Sequence, residues 1–292
     1  MNADIEKIRE PAVAGQFYTE DPDALLAEVT ELLNQDLPKP YGKIRALIAP
    51  HAGYAFSGKI AAKGFSMLKG EHYDRVVLIA PSHNIPFTGL ATADYTVLRT
   101  PIGDSFVDVD TVNLLLGSGM KLVQEISGAH KAEHALELQL PFLQAVLPET
   151  PIVPLVCGRL KIGFEDKLAN CLMQLWDSNT LWVISSDFTH FGRSFGYVPF
   201  ADDVENKLKG LDMGAVEKIL SLDCDGFSNY LTETGATICG AGPIKILLKT
   251  IELSGTAELI QPELIECTNS GELNGDFSHC VGYSEIMFSE NS

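Results

Sequence analysis

At 292 residues the chain can bury a sizeable core, as one large domain or two small ones, and a hydrophobic share of 46% excludes a disordered chain. A net charge of −18, with no cluster of Lys and Arg, argues against a nucleic-acid or acidic-membrane partner. No apolar run reaches the ~18 residues of a membrane span, and the charged opening MNADIEKIRE is unlike a signal peptide, so the expected location is cytoplasmic. Six cysteines without a CxxC pair read as reduced thiols, most of them small core residues.

The first expected helix is DPDALLAEVTELLNQ, with Asp21 as N-cap and Pro22 at the first helical position. Its apolar face is Leu25, Leu26, Val29, Leu32 and Leu33, and DLPKPYGK ends it. KIRALIAP is a short apolar run stopped by Pro50, the pattern of a strand covered on both faces. SGKIAAKGFSMLKG follows as a helix, and DRVVLIAPSHN is a second strand of the same design. TADYTVLRTPIGDSF is a looser β excursion leading to the helix DVDTVNLLLGSG. HKAEHALELQLPFLQAVL reads as one strongly amphipathic helix broken near Pro141. PIVPLVCG and LWVISSDFTHFG are further strands, separated by the helix GFEDKLANCLMQLW. A helix is expected over about 202–222, a tight turn entering a helix at TICGAGPIKILLKTIEL, and a terminal strand at VGYSEIMF. Strands alternating with helices predict α/β layers around a mainly parallel central sheet flanked by helices. No linker divides the chain, so residues 1–292 form a single domain.

Three strand ends carry the chemistry. LIAP is followed by His51, LIAPS by His83, and VISS by Asp187 and His190. In an open α/β sheet the crevice lies outside the carboxyl ends of the strands, so neighbouring strands would bring these groups together. Imidazole and carboxylate donors suit a transition metal, and two histidines with one carboxylate suit non-haem iron. Read one at a time, each histidine is more simply a loop cap; three at matching strand ends favour a shared pocket. Gly53 and Gly58 beside His51 mark a backbone needing positive φ or close approach, or simple turn chemistry. Cys239, followed by Gly240 and Gly242 in TICGAGP, is either a ligand or nucleophile at a helix start or a buried small residue. HKAEH follows the residue order of inverted zinc peptidases, with His130 and His134 at helical spacing. Glu133 and Glu137 would then be ligand and base, or merely the solvated face of the helix. His72 reads as solvated and His279 as structural.

Together the segments REPAVAGQFY, LIAPHAGYAFSG, LIAPSH, EHALELQLPFL, ISSDFTHFG and ICGAGPI resemble the Memo family, known in bacteria and archaea as AmmeMemoRadiSam system protein B. The resemblance spans Arg9 to about Leu248. It implies a fold related to class III extradiol dioxygenases and a metal pocket at His51, His83, Asp187, His190 and Cys239. It also implies iron or copper as the metal, with zinc as an alternative, and AMMECR-type and radical-SAM proteins as associated partners. The small-molecule or peptide ligand stays unnamed. Asp187 and His190 are the candidate catalytic residues, as an acid/base pair, or further ligands, or groups that orient ligands. The dioxygenases place a glutamate on iron, and no strand end here offers one, so Asp187 or Cys239 would substitute. A thiolate moves preference toward Cu(I) or other thiophilic metals. Three functions follow: a metal-binding Memo-family protein of unassigned reaction, a dioxygenase-like oxidoreductase, or a non-enzymatic adaptor whose pocket grips a partner.

Overall fold

A computed structural model describes residues 6–38, 40–118 and 121–291; expectations touching residues 1–5, Lys39 and Gly119 lie outside these. Among the described residues, twelve strands form two sheets. β1 (Ile8–Arg9), β5 (Val97–Thr100) and β6 (Gly103–Phe106) make a small one, with β5 in the middle. The large sheet contains β2 (Lys43–Ala49), β3 (Arg75–Pro81), β4 (Leu90–Thr92), β7 (Val123–Glu125), β8 (Ile152–Cys157), β9 (Thr180–Ser185), β10 (His190–Gly192), β11 (Ile260–Asn269) and β12 (His279–Glu290). Its order is β10-β12-β2-β9-β3-β8-β4-β7, with β11 also paired to β12.

The centre of that sheet is the expected parallel core. β2, β9, β3 and β8 run parallel in adjacent positions, and after their first residues they are buried almost throughout. That explains why they read as continuous apolar runs rather than alternating ones. The margins are antiparallel where β12 meets β2, β10 and β11, and where β4 meets β8. Ile260–Asn269 carried no expectation. Only its pairing with β12 makes it a strand, and its mixed, partly polar burial with Pro262 and a bulge near Leu264 suits an edge.

The first helix forms as expected, over Pro22–Leu32, with Asp21 Oδ1 accepting from the Ala24 amide at 2.9 Å. The segment HKAEHALELQLPFLQAVL departs from expectation. The break near Pro141 is present, between His134–Glu137 and Leu140–Val146, but a second, unexpected break at Glu133 sets off Ser127–Lys131, so there are three short helices. Glu133 is extended at the first break and caps the second helix through the Ala135 amide at 3.1 Å. The carbonyls freed there are bonded by a buried cation: Arg9 Nε donates to His130 O and Arg9 Nη2 to Glu133 O, both at 2.9 Å. Arg9 Nη1 also pairs with Glu137 at 2.7 Å, and Tyr18 Oη and the amides of Ala12 and Val13 donate to the same carboxylate. Glu133 and Glu137 are therefore fully buried, which overturns the solvated-face reading.

Among the described residues, no helix is long and apolar enough to cross a membrane. All six cysteines are free thiols, with Cys157, Cys224 and Cys280 buried. His72 is exposed.

Candidate metal centre

The registry of the parallel core decides where the strand ends fall. Ala49 on β2 is level with Ser185 on β9, and Ile79 on β3 with Ile184 on β9. The chain leaves all three strands at one edge, so His51, His83 and Asp187 emerge side by side. Cys239 comes from a segment distant in sequence, just before the helix Ala241–Ser254. That helix start packs against the β9 end, where a side chain at Gly240 would strike Ser186 and the Gly240 amide donates to Ser186 Oγ at 3.1 Å. Glycine at 240 is thus required by close approach.

Among the described residues, His51, His83 and Cys239 each present a donor atom, all within 4.8 Å of one another. A second set, His83, Glu133 and His134, meets the same limit. The histidine rings form one group: His51 lies 5.4 Å from His83 and 5.5 Å from His134, and His83 lies 4.5 Å from His134, centroid to centroid.

Hydrogen bonds fix the tautomers. Ser185 Oγ donates to Ala135 O at 2.6 Å, so it accepts from His51 Nδ1 at 2.8 Å. Gln139 Nε2 donates to the same hydroxyl at 2.9 Å and holds it in place. Nδ1 of His51 therefore carries the proton, and the bare Nε2 faces Cys239 Sγ at 3.2 Å. His83 Nδ1 lies 2.8 Å from Glu133 Oε1, and the His83 amide donates to Glu133 Oε2 at 2.7 Å. Nδ1–H of His83 donates to the carboxylate, which leaves the lone pair of Nε2 free to bind a metal. A histidine whose far nitrogen is held by a carboxylate or hydroxyl is the usual arrangement behind a metal ligand.

The local electrostatics favour neutral imidazoles at His51 and His134. Burial, reinforced by His83, His134 and His190, lowers the His51 pKa well below its ordinary value. Burial and the neighbouring His83 bring His134 down to about 4. Burial opposes the charge on Glu133, but the bonds from His83 and the Ala135 amide outweigh it and its pKa is lowered. Burial, with the nearby Asp187, raises the Cys239 thiol well above its ordinary value. A thiolate at 239 therefore requires a compensating cation.

Asp187 and His190 belong to neither donor set. Asp187 is buried with Oδ1 accepting from the His51 amide at 2.7 Å, and burial pushes its pKa up to about 7. His190 begins β10, with Nδ1 2.9 Å from Phe188 O and 3.0 Å from Thr237 O. Both partners are carbonyls, so Nδ1 carries the proton and Nε2 is bare. His130 lies apart: its Nε2 donates to Ala91 O at 2.9 Å. It shares no helix face with His134, so the zinc-peptidase arrangement is not formed. Gly53 and Gly58 both have negative φ, which removes the positive-φ argument. A side chain at Gly53 would instead sit 3.3 Å from Phe17 O, so close backbone approach explains that glycine.

Sequence reasoning named His51, His83 and Cys239 but missed Glu133 and His134 as members of this cluster, and gave no part to Ser185 or Gln139. The HKAEH pattern was a signal for two of them, read in the wrong helical context.

These features define an α/β protein with an imidazole–thiol cluster at the carboxyl edge of a parallel strand core. A Memo-like protein family model matches residues 9–287. A MEMO1 family protein of Schizosaccharomyces pombe is 32% identical, covering 87% of this chain and 90% of its own. One from Methanopyrus kandleri is 31% identical over 96% of this chain and 98% of its own. The memo-1 homolog of Caenorhabditis elegans is 32% identical over 86% of this chain and 73% of its own. The chain belongs to the Memo family.

Proposed function

We propose that this protein binds one transition-metal ion through His51 Nε2, His83 Nε2 and Cys239 Sγ, and that this ion is the working part of the site. The observation that supports the reading is the hydrogen-bond pattern: both imidazoles spend Nδ1–H on fixed acceptors, while His51 Nε2 sits 3.2 Å from the thiol. Two neutral imidazoles and a thiolate form a soft donor set, suited to Cu(I) or zinc, with iron favoured only if the Asp187 carboxylate joins. Once bound, such an ion would supply Lewis-acid or redox chemistry. The chain's own contributions are the loss of the Cys239 proton, the fixed orientation of His51 and His83, and the bare His190 Nε2 as acceptor for a substrate proton.

The test is elemental analysis of protein prepared without oxygen, beside the His51→Ala/His83→Ala variant. Near-stoichiometric metal in the first and its loss in the second are expected. Equal content in both rejects the assignment.

A second reading is an oxidoreductase of the extradiol dioxygenase type. It draws on His83, Glu133 and His134, two histidines and a carboxylate of the kind that hold non-haem Fe(II). It ranks second because the Glu133 oxygens already accept from His83 Nδ1 and the amides of His83 and Ala135. Oxygen uptake with Fe(II) and catechols is its measurement, and no uptake across a panel of diols rejects it.

A further inference from the structure

Beyond the metal cluster, a hollow of about 580 Å³ lies beside the β10–β12 pair, lined by residues of 191–204 and 277–279. Its volume falls within the ~300–1,000 Å³ of ordinary small-molecule sites. Phe191, Val198, Phe200 and Phe277 form the apolar wall, and Arg193 and His279 stand among its polar lining. Phe191 and Phe200 stack at 5.2 Å between centroids. Phe191 packs with Leu208 and Cys280 in a small cluster separate from the main core, on the β10–β12 edge of the large sheet.

The charges indicate what the hollow takes. Arg193 is exposed and takes part in none of the ion pairs among the described residues. In a chain of net charge −18, a guanidinium left unpaired beside an apolar wall offers complementarity to an anion. His279 is held in place: its ring stacks on Phe195 at 4.4 Å, and its Nδ1 shares a hydrogen bond with Ser194 Oγ at 2.8 Å, which leaves Nε2 uncommitted. The acids adjacent to the lining have partners of their own: Asp276 accepts from Ser278 N and Oγ at 2.9 and 2.6 Å, Asp202 pairs with Lys207 at 2.7 Å, and Asp203 accepts from Asn206 Nδ2 at 2.7 Å.

We infer that this hollow is a binding site for a small apolar carboxylate, its tail against the phenylalanine wall and its head between Arg193 and His279. The site is distinct from the metal donors and independent of the metal reading. Phe195 nevertheless links it to the metal region, since that ring stacks on His279 and meets His190 edge-on at 5.1 Å.

Titration calorimetry with octanoate, octanol and octylammonium tests the assignment on the whole chain. Octanoate is expected to bind at one site, octanol more weakly and octylammonium not at all. Arg193→Ala should weaken octanoate at least tenfold and leave octanol unchanged, and Arg193→Glu should weaken octanoate further. Both changes are on an exposed side chain, so folding is retained, and the His83→Ala variant should bind octanoate as the parent does. Octanoate binding that is undetectable, or equal in the parent and Arg193→Ala, overturns the inference. So does Arg193-dependent binding seen only with anionic phosphatidylserine vesicles, which would make the face a membrane contact.

Discussion

Glu133 Oε1 lies 2.8 Å from Nδ1 of His83, fifty residues earlier in the chain, and its second oxygen accepts the amide of the same histidine. One buried carboxylate thus sets both the ring orientation and the tautomer of His83. This is possible only because the helix expected over residues 130–147 breaks at Glu133.

That relationship makes Glu133 a positioning residue for metal binding. Glu133→Gln should leave the fold intact and weaken metal affinity by roughly 10–100-fold, the usual effect of removing such a partner. Competition with a chelator of known affinity measures it. Unchanged affinity would show that His83 needs no orienting group.

The protonation states predict a proton count. His51 is neutral before metal binding, whereas Cys239 is a protonated thiol. Metal binding near pH 7 should therefore release about one proton from Cys239. Calorimetry in buffers of different ionisation enthalpy reads that number directly. Cys239→Ser should bring it close to zero and weaken thiophilic metals most.

The Arg9–Glu137 pair governs stability. Both side chains are buried and Glu137 accepts from Arg9, Tyr18 and two backbone amides. Glu137→Ala should cost about 3–5 kcal/mol, because it leaves a buried guanidinium without its counter-charge. Arg9→Met/Glu137→Leu should recover part of that loss in chemical denaturation. A single variant as stable as the parent would contradict the buried-pair account.

Glu285 predicts a pH dependence. It is fully buried on β12 against Gly64, neither oxygen has a hydrogen-bond partner among the described residues, and burial raises its pKa well above the ordinary value. Below the unfolded-state pKa both states hold the proton and the stability is fully present. As pH rises, the unfolded chain ionises first, so stability falls until the folded pKa is passed, by at most ~1.4 kcal/mol per pH unit for this group. Asp187 and Asp212, both pushed up to about 7 by burial, act in the same direction. Glu285→Gln should flatten the fall in Tm between pH 5 and 8. An unchanged slope would mean that Glu285 ionises alike in both states.

Much of the fold was legible because its central strands are buried on both faces. KIRALIAP and DRVVLIAP could be recognised as runs that end where polar groups begin, and their alternation with helices gave the layers. The edge strand Ile260–Asn269 was not legible, since its half-polar burial follows from pairing with β12 rather than from its own pattern. The metal candidates divide in the same way. His51 and His83 each close an apolar strand and stood out. Glu133 and His134 sat in a segment whose helical periodicity concealed a break held open by Arg9, more than 120 residues away.

Local sequence alone determined which segments are the central strands, that three of them end in imidazole or carboxylate, and that the chain is strongly acidic. Those properties depend on residue type and spacing along a few neighbouring positions. The tertiary structure decided the strand order that puts the ends of β2, β9 and β3 side by side, the arrival of Cys239 at His51, and the pairing of Glu133 with His83. Such contacts join residues far apart in sequence, and their energies are set by burial and hydrogen-bond geometry that exist only once the sheet has assembled.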